Sequence, residues 1–301
     1  MRQQTVRTIE YIRGMKIEFN HLLTDTYDPD ENFKYESHHH LHTHWFYEIF
    51  FFISGDGVII SGDNFYRISY GDIFIAKPGE LHGMPFNNSC FTEHYYILLP
   101  QDCFRCLHHD AESLFHSIGS YPRGTGNIIH LTASQTEEAC NCLEELRTHA
   151  FDLNFSYSLE SFTLLIRILN IICTASKAAD MHDSPIHELL PPEFRDLLRY
   201  LNTNHIRIHR LEDIAHPMNL SEVHLSRLFK RYMGTTIMHY VRMRKMENAK
   251  QMLLTGASVT DACFSSGFDS YSHFITTFRK EYGMSPMEYR RHVIDSKQNS
   301  D

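Results

Sequence analysis

Three histidines and one carboxylate stand where they could meet. His42, His44 and Glu48 hold even-numbered places in one aromatic run, HTHWFYEIFFFI. On a single strand, residues two and four apart point to the same face. His82 follows Pro78, Gly79 and Glu80 in a second strand-like segment. Imidazole nitrogens and a carboxylate oxygen suit a divalent first-row metal. The same groups at the end of an aromatic-lined cavity suit a small polar ligand, with Phe46, Phe50 and Phe52 as apolar faces. Histidine–carboxylate pairs also occur as plain core hydrogen bonds. The residues leave all three roles open. A small-ligand site is the expectation, with no bound cofactor.

A second constellation is repeated. Residues 221–240, SEVHLSRLFKRYMGTTIMHY, match 270–289, SYSHFITTFRKEYGMSPMEY, at a constant offset. Ser221 meets Ser270, Phe229 meets Phe278, Gly234 meets Gly283 and Tyr240 meets Tyr289. A repeat of this length is one small unit used twice. Leu225, Leu228, Phe229 and Tyr232 recur at helical spacing and predict a buried face. Val223, Ser226, Arg227 and Lys230 form the opposite stripe. Ser221 can cap the helix start and Gly234 can end it. In the second copy Ser270 is the cap, and the outward positions are Ser272, Ile275, Thr276 and Arg279, with Tyr271 beside them. Short stretches, RLEDIAHPMN and SVTDACFSSGF, precede the two helices. A short helix, a tight turn and a second helix with a basic face make a helix-turn-helix, which binds double-stranded DNA.

Other segments position these groups. GVII, FYRI, DIFIA and EHYYILL are short strands separated by GDG, SGDN and YGD turns, which predicts a sandwich or small barrel. The expected fold is therefore α+β, a β-rich first domain and an all-helical second one. A capping box at Ser134 and Glu137 opens a helix with Ala139, Cys142, Leu143 and Leu146 on one stripe. A second helix carries Phe162, Leu165, Ile166, Leu169 and Cys173. A short helix is expected near Ala111–Ile118. The run 176–192 is polar and ends in two prolines, as linkers do. Between the repeats, TIMHYVRMRKMENAKQML predicts a long helix. It would hold the two recognition helices about 34 Å apart, one turn of DNA.

The stretch from LEDIAHPMNLSEVHLSRLFKRYMG to GFDSYSHFITTFRKEYGMSPMEYR resembles the DNA-binding domain of AraC/XylS-type bacterial transcription regulators. The order HTH, a Gly-Asp-Gly turn and YGDIFIAKPGELH resembles a cupin barrel, which such regulators often carry as a sensing domain. The resemblance implies domains at 1–178 and 193–301 with a linker at 179–192. It implies an effector, for which a sugar is the family's suggestion, and an activator that contacts RNA polymerase. It implies a homodimer through the two helices after the barrel. Arg227 falls at an arginine common in the family, whereas the second copy has Thr276 there. Metal-binding cupins use His-x-His, a later Glu and a distant His. The first part fits at His42, His44 and Glu48. The second part is one residue short at Pro78-Gly79-Glu80-Leu81-His82, which puts a metal in doubt. Cys263 stands where the family usually has alanine.

Composition agrees with this division. Net charge is -9, yet residues 191–301 carry 16 Lys and Arg against 12 Asp and Glu, hence +4. The basic excess sits with the helix-turn-helix units. Seven cysteines without a secretory signal suggest reduced thiols and a cytoplasmic protein. FTLLIRILNIICTA is interrupted by Arg167 and Asn170, so no membrane span is expected. Cys103-x-x-Cys106 with His108 and His109 resembles half a zinc site, and no matching pair follows. His38, His39 and His40 are expected in the loop before the strand. No Ser-His-Asp order, P-loop or dinucleotide fingerprint appears, so no enzyme is expected. The competing reading is a metal-dependent cupin enzyme with a helical accessory domain.

Overall fold

Strand β3 (Phe46–Ser54) shows why the first half of the chain folds as it does. Its odd side chains, Tyr47, Ile49 and Phe51, and its even ones, Glu48, Phe50 and Phe52, are all buried. A strand covered on both faces must lie in the middle of a layered structure, and this one does. The computed structural model describes residues 5–11, 15–24, 41–44, 46–54, 57–62, 64–86, 92–100, 124–150, 159–178 and 190–291. It contains two compact units, one formed by residues 1–36 and 45–186 and the other by residues 37–44 and 187–301.

The first unit is a β-sandwich. Its strands are β1 (Thr5–Tyr11), β2 (Met15–Thr24), β3, β4 (Gly57–Ser61), β5 (Asn64–Ile68), β6 (Asp72–Ala76), β7 (His82–Phe86), β8 (Thr92–Pro100) and β9 (Ile128–His130). One sheet runs β1-β2-β8-β3-β6-β9 and the other β5-β4-β7. Every pairing is antiparallel. Ile49, Phe51, Ile73, Ile75, Tyr95, Ile97 and Leu99 face two helices, α1 (Ala133–Ala150) and α2 (Leu159–Ala178). Phe50, Phe52, Phe74, Tyr96 and Leu98 face Ile59, Tyr66, Ile68 and Met84 of the small sheet. Glu48 shares this inward face.

Helix α1 starts earlier than the sequence pattern suggests. Thr132 N–H donates to Gln135 Oε1 at 3.0 Å, and Gln135 N–H donates to Thr132 Oγ1 at 3.3 Å. That reciprocal pair is the capping box, in place of Ser134 and Glu137. Strand β9 ends at His130, so the chain must turn at once, and Thr-x-x-Gln is the first matching pair available. The stripes Ala139, Cys142, Leu143, Leu146 and Leu165, Leu169, Cys173 lie inside the unit's own core. Ile166 is only half-buried, and the centre of the α2 stripe falls on Ile168 and Ile172. The short helix expected near Ala111–Ile118 lies outside the described residues.

The second unit is helical. It comprises α3 (Pro192–Asn204), a 3₁₀ turn (His205–Arg207), α4 (Glu212–Met218), α5 (Glu222–Met233), α6 (Ile237–Leu254), α7 (Val259–Ser265) and α8 (Tyr271–Tyr282). The repeat is visible as two matching helices. Ser221 Oγ accepts from His224 N–H at 3.2 Å, and Ser270 Oγ accepts from His273 N–H at 3.3 Å. Gly234 and Gly283 end the two helices at φ 66° and 69°, where a side chain would be strained. Leu225, Phe229 and Met233 bury one helix; Phe274, Thr277, Phe278 and Tyr282 bury the other. Leu228 and Tyr232 are half-buried, so the expected stripe is correct at its centre and wetter at its edge. Helix α6 joins the two copies and is buried on most sides, including Met246, Ala249 and Leu253. Lys245 on it donates to the carbonyl of Gly267 at 2.8 Å, and burial lowers its pKa.

One buried carboxylate holds the turn between β6 and β7. Glu80 is fully buried. It accepts from Lys77 N–H at 3.0 Å, from Asn127 Nδ2 at 2.7 Å and from Gly124 N–H. Gly124 has φ 76°, and a Cβ there would stand 2.6 Å from the Ser61 carbonyl oxygen. The position therefore requires glycine. Replacing Glu80 with Ala strands three buried donors and is expected to cost about 3 kcal/mol or more. At roughly 2–4 °C per kcal/mol, the sandwich should melt about 6–12 °C lower. Calorimetry of the full chain checks this, and a loss below about 2 °C would show that the clamp carries little.

Candidate functional site

The inward face of the sandwich has a polar end. Glu48 and His82 are each 3% exposed. His82 Nε2 lies 3.0 Å from Glu48 Oε2, and its Nδ1 lies 2.8 Å from the Glu80 carbonyl oxygen. A carbonyl only accepts, so Nδ1 carries hydrogen and donates. Nε2 is thereby aimed at Glu48, with a proton or another cation needed between them. The Glu80 backbone thus sets the orientation of His82, while the Glu80 side chain anchors the turn.

His42 and His44 come to the same place by another route. Strand β3 begins at Phe46, so neither lies on it, and the expected parity along one strand does not apply. His42 sits in an isolated bridge just before the strand. Both are half-buried, with ring centroids 5.4 Å apart. One ligand atom from each of His42, His44, Glu48 and His82 lies within 4.8 Å of all the others. Phe50 and Phe52 join the inter-sheet core as expected, whereas Phe46 is exposed.

One further group faces this end. Ser61 pairs directly with His82 across β4 and β7, which puts both on one face. Its Oγ is fully buried with no hydrogen-bond partner among the described residues. His94, also buried, pairs with Phe52 further along β3 and stacks on Phe50 at 4.3 Å. Sequence reasoning passes over Ser61, because only the register of distant strands brings it here. His38, His39, His40, Cys103, Cys106, His108 and His109 lie outside the described residues.

The helical unit presents two equivalent exposed stripes. On α5, Val223, Arg227 and Lys230 are exposed and Ser226 is half-buried. On α8, Tyr271, Ser272, Thr276 and Arg279 are exposed and Ile275 is half-buried. Ser221 and Ser270 are the helix caps, so their hydroxyls are already engaged. Basic side chains in the last turns, Lys230 and Arg279, sit at matching positions. Cys263 is fully buried on α7 and its thiol is pushed up by burial, which fits a packing role.

A sandwich with a polar interior, coupled in one chain to paired helix-turn-helix units, defines an effector-controlled DNA-binding transcription regulator. The chain is similar to regulators of the AraC type in both of its domains. Residues 30–169 match the family described as AraC-like ligand binding domain, and residues 214–292 match the helix-turn-helix domain. The chain is 27% identical over 260 residues to the HTH-type transcriptional activator RhaR of Yersinia pseudotuberculosis, covering 85% of this chain and 86% of that one. It is 26% identical over 267 residues to the uncharacterized HTH-type transcriptional regulator YfiF of Bacillus subtilis, covering 85% and 80%. Among solved structures, ToxT from Vibrio cholerae aligns over 91% of this chain and 97% of its own, at 15% identity and a TM-score of 0.36.

The two stripes differ in chemistry, and this has a measurable consequence. Arg227 can fork onto guanine O6 and N7. Thr276, at the equivalent place, has no charged fork. Arg227→Ala should cost roughly 1–3 kcal/mol and relax preference at one base pair. Thr276→Ala should cost less than about 1 kcal/mol. Lys230→Ala or Arg279→Ala should weaken all sequences alike and flatten the salt dependence. Titrations of the true site and its single-base variants at two salt concentrations separate these cases. Equal loss of discrimination for Arg227→Ala and Thr276→Ala would remove the asymmetry.

Proposed function

We propose that the protein activates transcription from a promoter when a small hydroxyl-rich molecule, a sugar in the simplest case, binds between the two sheets. The effector contacts would be His42, His44, Glu48 and His82, with Ser61 as an added hydroxyl. The observation that carries this reading is the Glu48–His82 pair, buried at 3.0 Å on a face made mostly of aromatic and aliphatic groups. A few convergent polar groups on an apolar wall are what orients a small ligand. DNA contacts would come from Val223, Ser226, Arg227 and Lys230 on α5 and from Tyr271, Ser272, Ile275, Thr276 and Arg279 on α8, with caps Ser221 and Ser270 at the helix starts. Residues 1–178 would sense, 193–301 would bind DNA, and 179–192 would link them. Activation is supported by the name of the RhaR relative, and contact with RNA polymerase would be part of it.

A homodimer through α1 and α2 belongs to the same proposal. Their apolar stripes lie in the unit's own core, so the interface would use outer faces such as that of Glu138 and Arg167, which pair at 3.1 Å. Sedimentation of the full chain at tens of micromolar tests it, and a monomer would count against it. Among the described residues no helix is long and apolar enough to cross a membrane. Action in the cytoplasm on DNA is the corresponding reading, without catalysis.

One observation favours a second reading of the same site. His82 is oriented by a backbone carbonyl on its far nitrogen, as metal-binding histidines commonly are. With four ligand atoms within 4.8 Å of one another, a divalent first-row ion could be held there. Thermal shift of the full chain against a panel of sugars and other metabolites tests the first reading. A ligand at 100 times its Kd stabilises by about 2.7 kcal/mol. That stabilisation should shrink in Glu48→Gln and Ser61→Ala. Dialysis against a chelator should leave the response intact if the site is a sugar site, and abolish it if an ion is required. A full shift retained by both variants would place the effector elsewhere.

A further inference from the structure

The exposed stripe of α8 is built differently from that of α5, and the difference is more specific than the absence of an arginine. Tyr271 is 40% exposed and Val223, on α5, is 59% exposed. Both are among the few large apolar side chains left open to water on this unit. Ile275 is half-buried on the same stripe as Tyr271. Thr276 is exposed, but its hydroxyl donates to the Ser272 carbonyl at 3.0 Å, one turn back in its own helix. With the hydroxyl directed along the helix, what Thr276 offers outward is its methyl group. The first two turns of α8, the part of a recognition helix that meets base edges, therefore carry, beside the exposed Ser272 and His273, a ring, a branched alkyl chain and a methyl. Its strong donors, Arg279 and Lys280, lie in the last turn, Arg279 at the place of Lys230. On α5 the second turn instead holds Arg227, exposed.

We propose that the second helix-turn-helix unit reads its half-site through thymine 5-methyl groups, while the first reads a guanine through Arg227. The inference rests on the reading of α5 and α8 as the recognition helices. In the major groove only thymine presents an apolar group, its C5 methyl, and alkyl side chains are its natural partners. Ile275 and the Thr276 methyl supply that contact, and Tyr271 covers its edge. Fixed by methyls, the α8 half-site is A·T in character at the contacted steps. Val223 adds one similar contact at the start of α5.

Two base analogues separate the two modes. The full-length protein first selects its site from a random duplex pool, and Arg227→Ala marks which half-site belongs to α5. Deoxyuridine then replaces thymidine one position at a time, which removes only the methyl. 7-Deazaguanine replaces guanine, which removes only the N7 acceptor. Uracil in the α8 half-site should weaken binding about fourfold per contacted methyl, the value of one buried CH₂. 7-Deazaguanine should weaken binding about fivefold at the Arg227 base, and little in the α8 half-site. The uracil effect should vanish in Ile275→Ala or Thr276→Ser, because the partner methyl is gone. Thr276→Val, which keeps a methyl and drops the hydroxyl, should bind as the natural protein does. Full tolerance of uracil in the α8 half-site would overturn the proposal, and so would equal losses for Thr276→Val and Thr276→Ser. Unchanged binding to naked duplex by Ile275→Ala would also overturn it and direct the stripe toward a protein partner. If Arg227→Ala and Arg279→Ala both bind as before, the assignment of recognition helices fails, and this inference falls with it.

Discussion

The sensing unit depends on how one residue, Glu80, is held. Its carboxylate collects donors from Lys77, three residues back, and from Gly124 and Asn127, 44 and 47 residues on. Its own carbonyl accepts from His82 and turns that ring toward Glu48. A buried carboxylate with fewer partners would be costly, since each missing bond leaves desolvation uncompensated. With its partners in place it locks a turn, a loop and a site residue together. The polar end of the sandwich is thus stiff where a ligand would touch it, and stiffness reduces the ordering that binding must otherwise impose.

The helical unit solves a different problem by duplication. Each recognition helix is twelve residues long, opened by serine and closed by glycine. Buried aromatic residues carry each copy: Phe229 lies 5.3 Å from Tyr240, and Phe278 lies 5.8 Å from Tyr289. The same pairings recur because the same hydrophobic positions recur. Helix α6 spans about 27 Å at 1.5 Å per residue and is clamped to the second copy through Lys245 and Gly267. Salt links add little at the surface: His224 to Glu193 and His209 to Asp269 are well exposed, a setting in which ion pairs contribute weakly.

What was legible in the sequence follows from how local each signal is. The caps at Ser221 and Ser270 and their closing glycines involve residues a few positions apart, the repeat shows at one constant offset, and the structure has these as read. Strands β4, β5, β6 and β8 were equally plain from composition and turns. Their pairing was not. Ser61 faces His82 only because β4 lies beside β7, and no periodicity in either strand says so. His42 and His44 lie before β3 begins, so the parity argument along one strand does not apply to them. Two overlapping capping boxes were available before α1, and the end of β9 decided between them. The apolar stripe on α1 meets an outer face of the large sheet that is just as apolar. In each case the deciding information was which segment lies next to which.

The frame and the lettering of the recognition helices are carried by separate residues. Leu225, Phe229 and Met233, or Phe274, Phe278 and Tyr282, hold the helix, and none of them belongs to the outward stripe. On the proposed reading, a change at Ser226 or Ile275 would alter what is read without loosening what reads it. Because the scaffold is present twice, one copy can drift toward a new sequence while the other keeps the protein at its old address. Lineages built on such a chain could move between promoters in single steps, never passing through an unfolded or unattached form.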